Sequence, residues 1–103
     1  MALMDLNQAI RFQPDYADAY YNRGRTYAAM QNASQAISNY TKAIKLNAEL
    51  AEAYGNRGLI KAQTGDKNGG LVDLQHAADL FQKQGDLGNY QHTVLRIQQI
   101  KQN

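Results

Sequence analysis

The chain has 103 residues, of which 44% are hydrophobic and 19% charged, the makings of one small domain. Its 11 basic and 9 acidic side chains leave a net charge of +2, a balance that points to neither nucleic acid nor an anionic membrane as partner. There is no cysteine, so disulfides, thiolate metal sites and cysteine nucleophiles are excluded, and packing alone must hold the fold.

The 15 alanines and 12 glutamines, set against two valines and one proline, favour helices over strands. In chain order, apolar spacing and stop signals predict helices near 2–12, 16–30, 33–47, 50–64, 67–83 and 87–101. The first ends at Pro14-Asp15, which is also expected to cap the second. Gln31-Asn32 and Gly65-Asp66 separate the next pairs, with Asn32 and Asp66 placed to accept the free amide hydrogens of the following helix. Gly69-Gly70 falls at the start of the fifth helix, which is therefore expected to begin late or fray. Asp86 can cap the sixth, whose Leu87, Tyr90, Val94, Ile97 and Lys101 form one stripe. No run of 18 apolar residues occurs, and the opening lacks the basic start and apolar core of a signal peptide, so a soluble, cytoplasmic chain with no membrane partner is expected.

The helices repeat. Ala17-Asp-Ala-Tyr-Tyr-Asn-Arg-Gly24 and Ala51-Glu-Ala-Tyr-Gly-Asn-Arg-Gly58 agree at six of eight positions with an offset of 34 residues. The same offset pairs Ile37 with Leu71, Tyr40 with Leu74, Ala43 with Ala77 and Leu46 with Leu80. Run backward, it sets Ala2, Leu3, Leu6, Ala9, Ile10 and Phe12 under Ala36, Ile37, Tyr40, Ala43, Ile44 and Leu46, so the chain opens on the second half of a unit. Small residues let paired helices approach: Gly24 is expected to face Ala36, and Gly58 to face Gly70. Arg23 and Arg57 recur at the same offset, either as a basic stripe or, the preferred reading, as structural side chains reaching acids such as Asp73.

These residues resemble the tetratricopeptide repeat family, 34-residue helix-turn-helix units with an aromatic at position 4, Gly at 8, Tyr at 11, Ala at 20, an aromatic at 24, Ala at 27 and Pro at 32. Counted from Ala17, the first full unit supplies Tyr20, Gly24, Tyr27, Ala36, Tyr40 and Ala43, departing only at Ala48. Counted from Ala51, the second supplies Tyr54, Gly58, Leu74 and Ala77 and departs at Lys61, Gly70 and Gln82. The resemblance implies an all-α, right-handed solenoid of helical hairpins with about six helices. Its divisions are the second helix of an incomplete repeat at 1–16, a repeat at 17–50, a degenerate repeat at 51–84 and a capping helix with a polar outer surface at 85–103.

The resemblance also implies a function. In this family the first helix of each repeat lines a concave groove that takes a peptide or another protein's helix. The matching positions are Asp18, Tyr21, Asn22, Arg25, Ala28 and Ala29, then Glu52, Gly55, Asn56, Leu59, Ala62 and Gln63. Asn22 and Asn56 can both donate to and accept from an extended backbone, Arg25 can hold a carboxylate, and Tyr21 offers flat apolar contact. Family members that clamp a C-terminal carboxylate carry Lys at position 5, which here is Tyr21 and Gly55, and Glu52 adds repulsion. A non-catalytic scaffold or adaptor without carboxylate-clamp activity is therefore expected, partnered by a protein or peptide.

Two alternatives remain open. An incomplete first unit leaves no helix to cover Ala2, Leu6 and Ala9, so Leu3, Leu6 and Ile10 form a candidate surface for homo-oligomers. A helical repeat that binds RNA is the more remote one, and no nucleic acid is expected. No catalytic constellation emerges: His76 and His92 fall on different helices without an acidic cluster and read as surface histidines, and the Gly65–Gly70 run lacks the strand and Gly-Lys-Ser/Thr of a phosphate loop. No cofactor or metal is expected.

Overall fold

The computed structural model describes residues 3–103 and holds six helices among them. These are α1 (Leu3–Phe12), α2 (Ala17–Ala29), α3 (Ala33–Leu46), α4 (Ala51–Gln63), α5 (Lys67–Lys83) and α6 (Leu87–Gln102). Each begins and ends within two residues of its sequence expectation. The chain divides into two compact units, one through Ala48 and one from Glu49 onward.

In the first unit α2 packs against both α1 and α3. Leu6, Ala19, Ala36, Tyr40 and Ala43 are buried there, alanines letting the helices close around the two large side chains. Leu6 therefore does not stand uncovered as expected. α2 lies on α1, and Leu6 is 1% exposed, while Leu3 and Ile10 are half-buried. Ala2, counted with them, lies outside the described residues. The apolar side chains that α1 does expose are Met4 and Phe12, each 77% accessible. Gly24 also differs from expectation: a Cβ placed on it would sit 2.7 Å from Cε1 of Tyr40, so it makes room for that ring rather than for Ala36.

The second unit is built from α4, α5 and α6. Here the expected close approach is present. A Cβ on Gly58 would lie 2.8 Å from the Gly70 carbonyl oxygen, and one on Gly70 would lie 2.6 Å from that of Gly58. α6 then packs on α5, where Leu74, Ala78 and Ile97 form a buried cluster flanked by Leu59, Leu71, Tyr90, Val94 and Ile100. The exposed side of α6 is mostly polar, with Asn89, Gln91, Gln98 and Gln99 among its residues, and Leu87 and Leu95, 61% and 56% exposed, are the apolar ones on it.

Three of the turns follow one chemical rule. Asn32 accepts from Gln35 N–H at 3.2 Å, Asp66 from Gly69 N–H at 2.9 Å and Asp86 from Asn89 N–H at 3.3 Å, each replacing a hydrogen bond that the first helical turn cannot supply. The capped α5 starts at Lys67, so the paired glycines neither delay nor fray it. They serve the cap and the α4 contact instead. The residue just before each of these caps is left-handed: Gly65 and Gly85 adopt it freely, whereas Gln31 holds φ of 60° at the same register. Not following it are α4, whose N-cap Leu50 gives no side-chain bond, and α2. Tyr16 rather than Asp15 holds its N-cap position and gives no side-chain bond, leaving the Tyr16 carbonyl to accept from Ala19 N–H at 3.1 Å.

Candidate functional site

Helix α2 turns its small residues Ala19 and Gly24 inward, which leaves Asp18, Asn22, Arg25 and Ala29 toward solvent. Asp18 is exposed in the first turn, where a carboxylate is favoured by the helix dipole. Tyr21 is half-buried, its ring 5.8 Å from that of buried Tyr40 and tilted by 43°. Exposed Arg25 sets its guanidinium 5.9 Å from the Tyr21 ring centroid, within cation–π range. One helical turn of backbone is steadied by Thr26, whose hydroxyl donates to the Asn22 carbonyl at 3.0 Å. Asn22, Arg25, Thr26 and Ala29 together line an open hollow of about 430 Å³. Of the positions expected to line a groove on α2, Asn22 and Arg25 thus share one concavity with Tyr21 adjoining it, and Asp18 lies outside its lining.

On α4 the corresponding residues divide differently. Glu52 is exposed and Asn56 half-buried, while Gly55 lies against Ala77, a Cβ on it falling 3.7 Å from that methyl. Leu59 and Gln63 line a second hollow, of about 320 Å³, with Ala62 and Lys67, with Arg96, Gln99 and Ile100 of α6, and with Asn103 just beyond it. The contribution of α6 went unseen in the sequence. Its signal was the spacing of Arg96, Gln99 and Ile100 at i, i+3 and i+4, which puts a cation, an amide and an apolar side chain on one face.

The recurring arginines lie within the packing. Arg57 donates from Nε to Oδ2 of Asp73 and from Nη2 to Oδ1, both at 2.8 Å, and Lys61 adds a contact of 3.1 Å to Oδ2. Burial pushes the Asp73 carboxyl upward, yet hydrogen bonds from Arg57 and Lys61 outweigh it and hold the group below its ordinary range. The Arg57 guanidinium is pushed up by its hydrogen bonds to the same carboxylate. Thirty-four residues earlier the pattern recurs in uncharged form: Arg23 Nε donates to Asn39 Oδ1 at 2.6 Å, and Nη1 to Asn7 Oδ1 at 3.1 Å. The Asn39 amide in turn donates to the Gln35 carbonyl at 2.8 Å. The preferred structural reading of the pair thus stands, Asp73 included, and a basic stripe loses its two side chains.

His76 is exposed and stacks on Tyr54, ring centroids 4.1 Å apart, and His92 is exposed on α6. Among the described residues no helix is long and apolar enough to cross a membrane.

A family model described as TPR repeat matches residues 2–31, and one described as Tetratricopeptide repeat matches residues 17–50. Curated proteins give no match. Among solved structures, the chain is similar to MamA at 30% identity and a TM-score of 0.75, over 79% of this chain and 47% of that one. It thus spans about half of MamA's length. It is also similar to SycD, the type III secretion translocator chaperone of Yersinia enterocolitica, at 13% identity and a TM-score of 0.87, over 93% of this chain and 67% of that one. A third likeness is to the TPR2B domain of yeast Sti1 in its pHsp70 complex, at 18% identity and a TM-score of 0.88, over 94% and 78%. At such identities the last two speak for fold alone, which is that of an all-α helical repeat. Helical pairs recurring at 34 residues, glycine at the helix crossings and these matches together place the chain in the tetratricopeptide repeat family.

Proposed function

We propose that this chain is a non-catalytic scaffold or adaptor module that takes a peptide or a partner helix on the exposed faces of α2 and α4. The observation carrying the reading is the α2 hollow. Asn22 and Arg25 line it without the fold consuming them: Arg25 has no hydrogen bond or ion pair among the described residues, and its only close partner is the Tyr21 ring. An amide that donates and accepts, a cation and an aromatic face make a surface suited to an extended backbone with an acidic or aromatic side chain. Asn56 and Glu52 are the matching positions on α4.

The test is selection from a displayed peptide library with this chain, repeated with Asn22→Ala and Asn56→Ala combined. The double variant is expected to bind the selected peptides about tenfold more weakly, the equivalent of one good polar contact at each position, while keeping its helical fold by circular dichroism. Selection of the same peptides at the same affinity would remove the assignment.

The position-5 residues make a second expectation. The TPR2B domain of yeast Sti1 is solved with pHsp70, but here Tyr21 and Gly55 stand where carboxylate-clamping relatives present lysine, and exposed Glu52 repels an anion. Titration with an acidic C-terminal peptide is expected to give a dissociation constant above about 10 µM. Amidating the peptide terminus is expected to change nothing. Self-association through α1 is the lesser reading, because Leu6, its proposed anchor, is already buried.

A further inference from the structure

The hollow shared by α4, α5 and α6 has a division of labour that the α2 hollow lacks. Its apolar lining is Leu59, Ala62 and Ile100, of which Leu59 and Ile100 also pack on the Leu74, Ala78 and Ile97 cluster and so are held in place from behind. Its polar lining is Lys67, Arg96, Gln63 and Gln99, with Asn103, and it contains no acidic side chain. Arg96 is exposed and has no hydrogen bond or ion pair among the described residues. None of the acids of the same unit lines it: Asp73 is engaged by Arg57 and Lys61, Glu49 by Lys83, Asp79 by Gln75, Asp66 and Asp86 act as caps, and exposed Glu52 stands in the first turn of α4.

From this charge complementarity we infer that the hollow lined by Leu59, Ile100 and Arg96 is a subsite for a peptide segment in which an acidic side chain stands close to an aliphatic one. The carboxylate would meet the Arg96 guanidinium, a planar donor suited to two parallel hydrogen bonds, and the aliphatic side chain would cover Leu59 and Ile100. Gln63 and Gln99 can serve the peptide's own amide and carbonyl groups. The inference rests on reading the chain as an interaction module, but it assigns the selectivity to α6, outside the repeated motif. The volume of about 320 Å³ fits one or two side chains, not a folded domain.

The probe is an acetylated, amidated octapeptide of alternating Glu and Leu, with Gln–Leu and Glu–Ser octapeptides as controls, followed by calorimetry and by backbone amide shifts. The Glu–Leu peptide is expected to bind at least about fivefold more tightly than either control, as loss of one charge-assisted contact implies. Arg96→Gln is expected to erase its advantage over the Gln–Leu peptide while leaving the melting midpoint unchanged. Shifts should centre on Gln63, Arg96 and Gln99. Equal binding of the three peptides, no binding at millimolar concentration, or insensitivity to Arg96→Gln would overturn the assignment, as would tighter binding of a uridine octanucleotide. Loss of library binding in the Asn22→Ala, Asn56→Ala variant, with Arg96→Gln neutral, would sink this subsite and leave the interaction-module reading intact.

Discussion

Gly70→Ala is expected to destabilise the second unit by about 2–3 kcal/mol, although alanine is the better helix former by about 1 kcal/mol. The new methyl would lie 2.6 Å from the Gly58 carbonyl oxygen and 2.9 Å from the Ala62 backbone nitrogen. Neither neighbour can rotate away. α4 and α5 would have to separate, loosening the contacts around Leu74. Gly58→Ala meets the Gly70 carbonyl at 2.8 Å and should behave alike. Gly55→Ala, one turn away on α4, separates the two effects. Its methyl would meet only the Ala77 methyl at an ordinary 3.7 Å, so the propensity gain of about 0.5–1 kcal/mol should appear as added stability. For a chain of this size, the Gly70 variant should melt about 10–15 °C lower and the Gly55 variant a few degrees higher. If Gly70→Ala raises the midpoint, helix propensity outweighs packing and the close approach is not tight.

Asp73→Ala is the second large effect, at about 2–4 kcal/mol. Its side chain is 6% exposed and Arg57's is 16%, so removing the acid strands a guanidinium that water reaches only in part. Lys61, at 24%, recovers more of its hydration. The pH dependence has a definite sign. The folded carboxyl is held below its ordinary range, so its stabilisation is fully present above the unfolded pKa of about 4 and is lost as pH falls through the folded value. The gap in urea stability between the parent chain and Asp73→Ala should therefore be wide at about pH 7 and shrink progressively as pH falls below about 4. A gap that stays constant would mean that the cost comes from lost packing alone. Asp73→Asn should be milder, because Asn39 already serves Arg23 in this register in the first unit.

These two sites show where sequence reasoning succeeds and where it stops. The 34-residue offset is a property of spacing, so helix positions, the caps at Asn32, Asp66 and Asp86, and the Gly58–Gly70 approach could all be read before any coordinates. The Arg57–Asp73 pair was legible for the same reason, because its members keep their places in the repeat. What departed from expectation was context-dependent. Gly24 shelters a Tyr40 ring where Gly58 meets a backbone, since an aromatic at 40 needs the space that Leu74 does not. Asp15 looked like a cap but lies one residue too early.

The candidate site divides along the same line. The sequence by itself determined the helices and their pairing period, because these follow from local hydrogen bonding and from a pattern repeated twice. Only the tertiary structure decided that Leu6 is buried under α2, that Asn22 and Arg25 share a hollow, and that Leu59 and Gln63 belong with Arg96, Gln99 and Ile100 of α6. Those outcomes depend on how helices far apart in the chain pack. No period in the sequence encodes such contacts, because α6 lies outside the repeat and its side chains acquire neighbours only when α5 brings it beside α4.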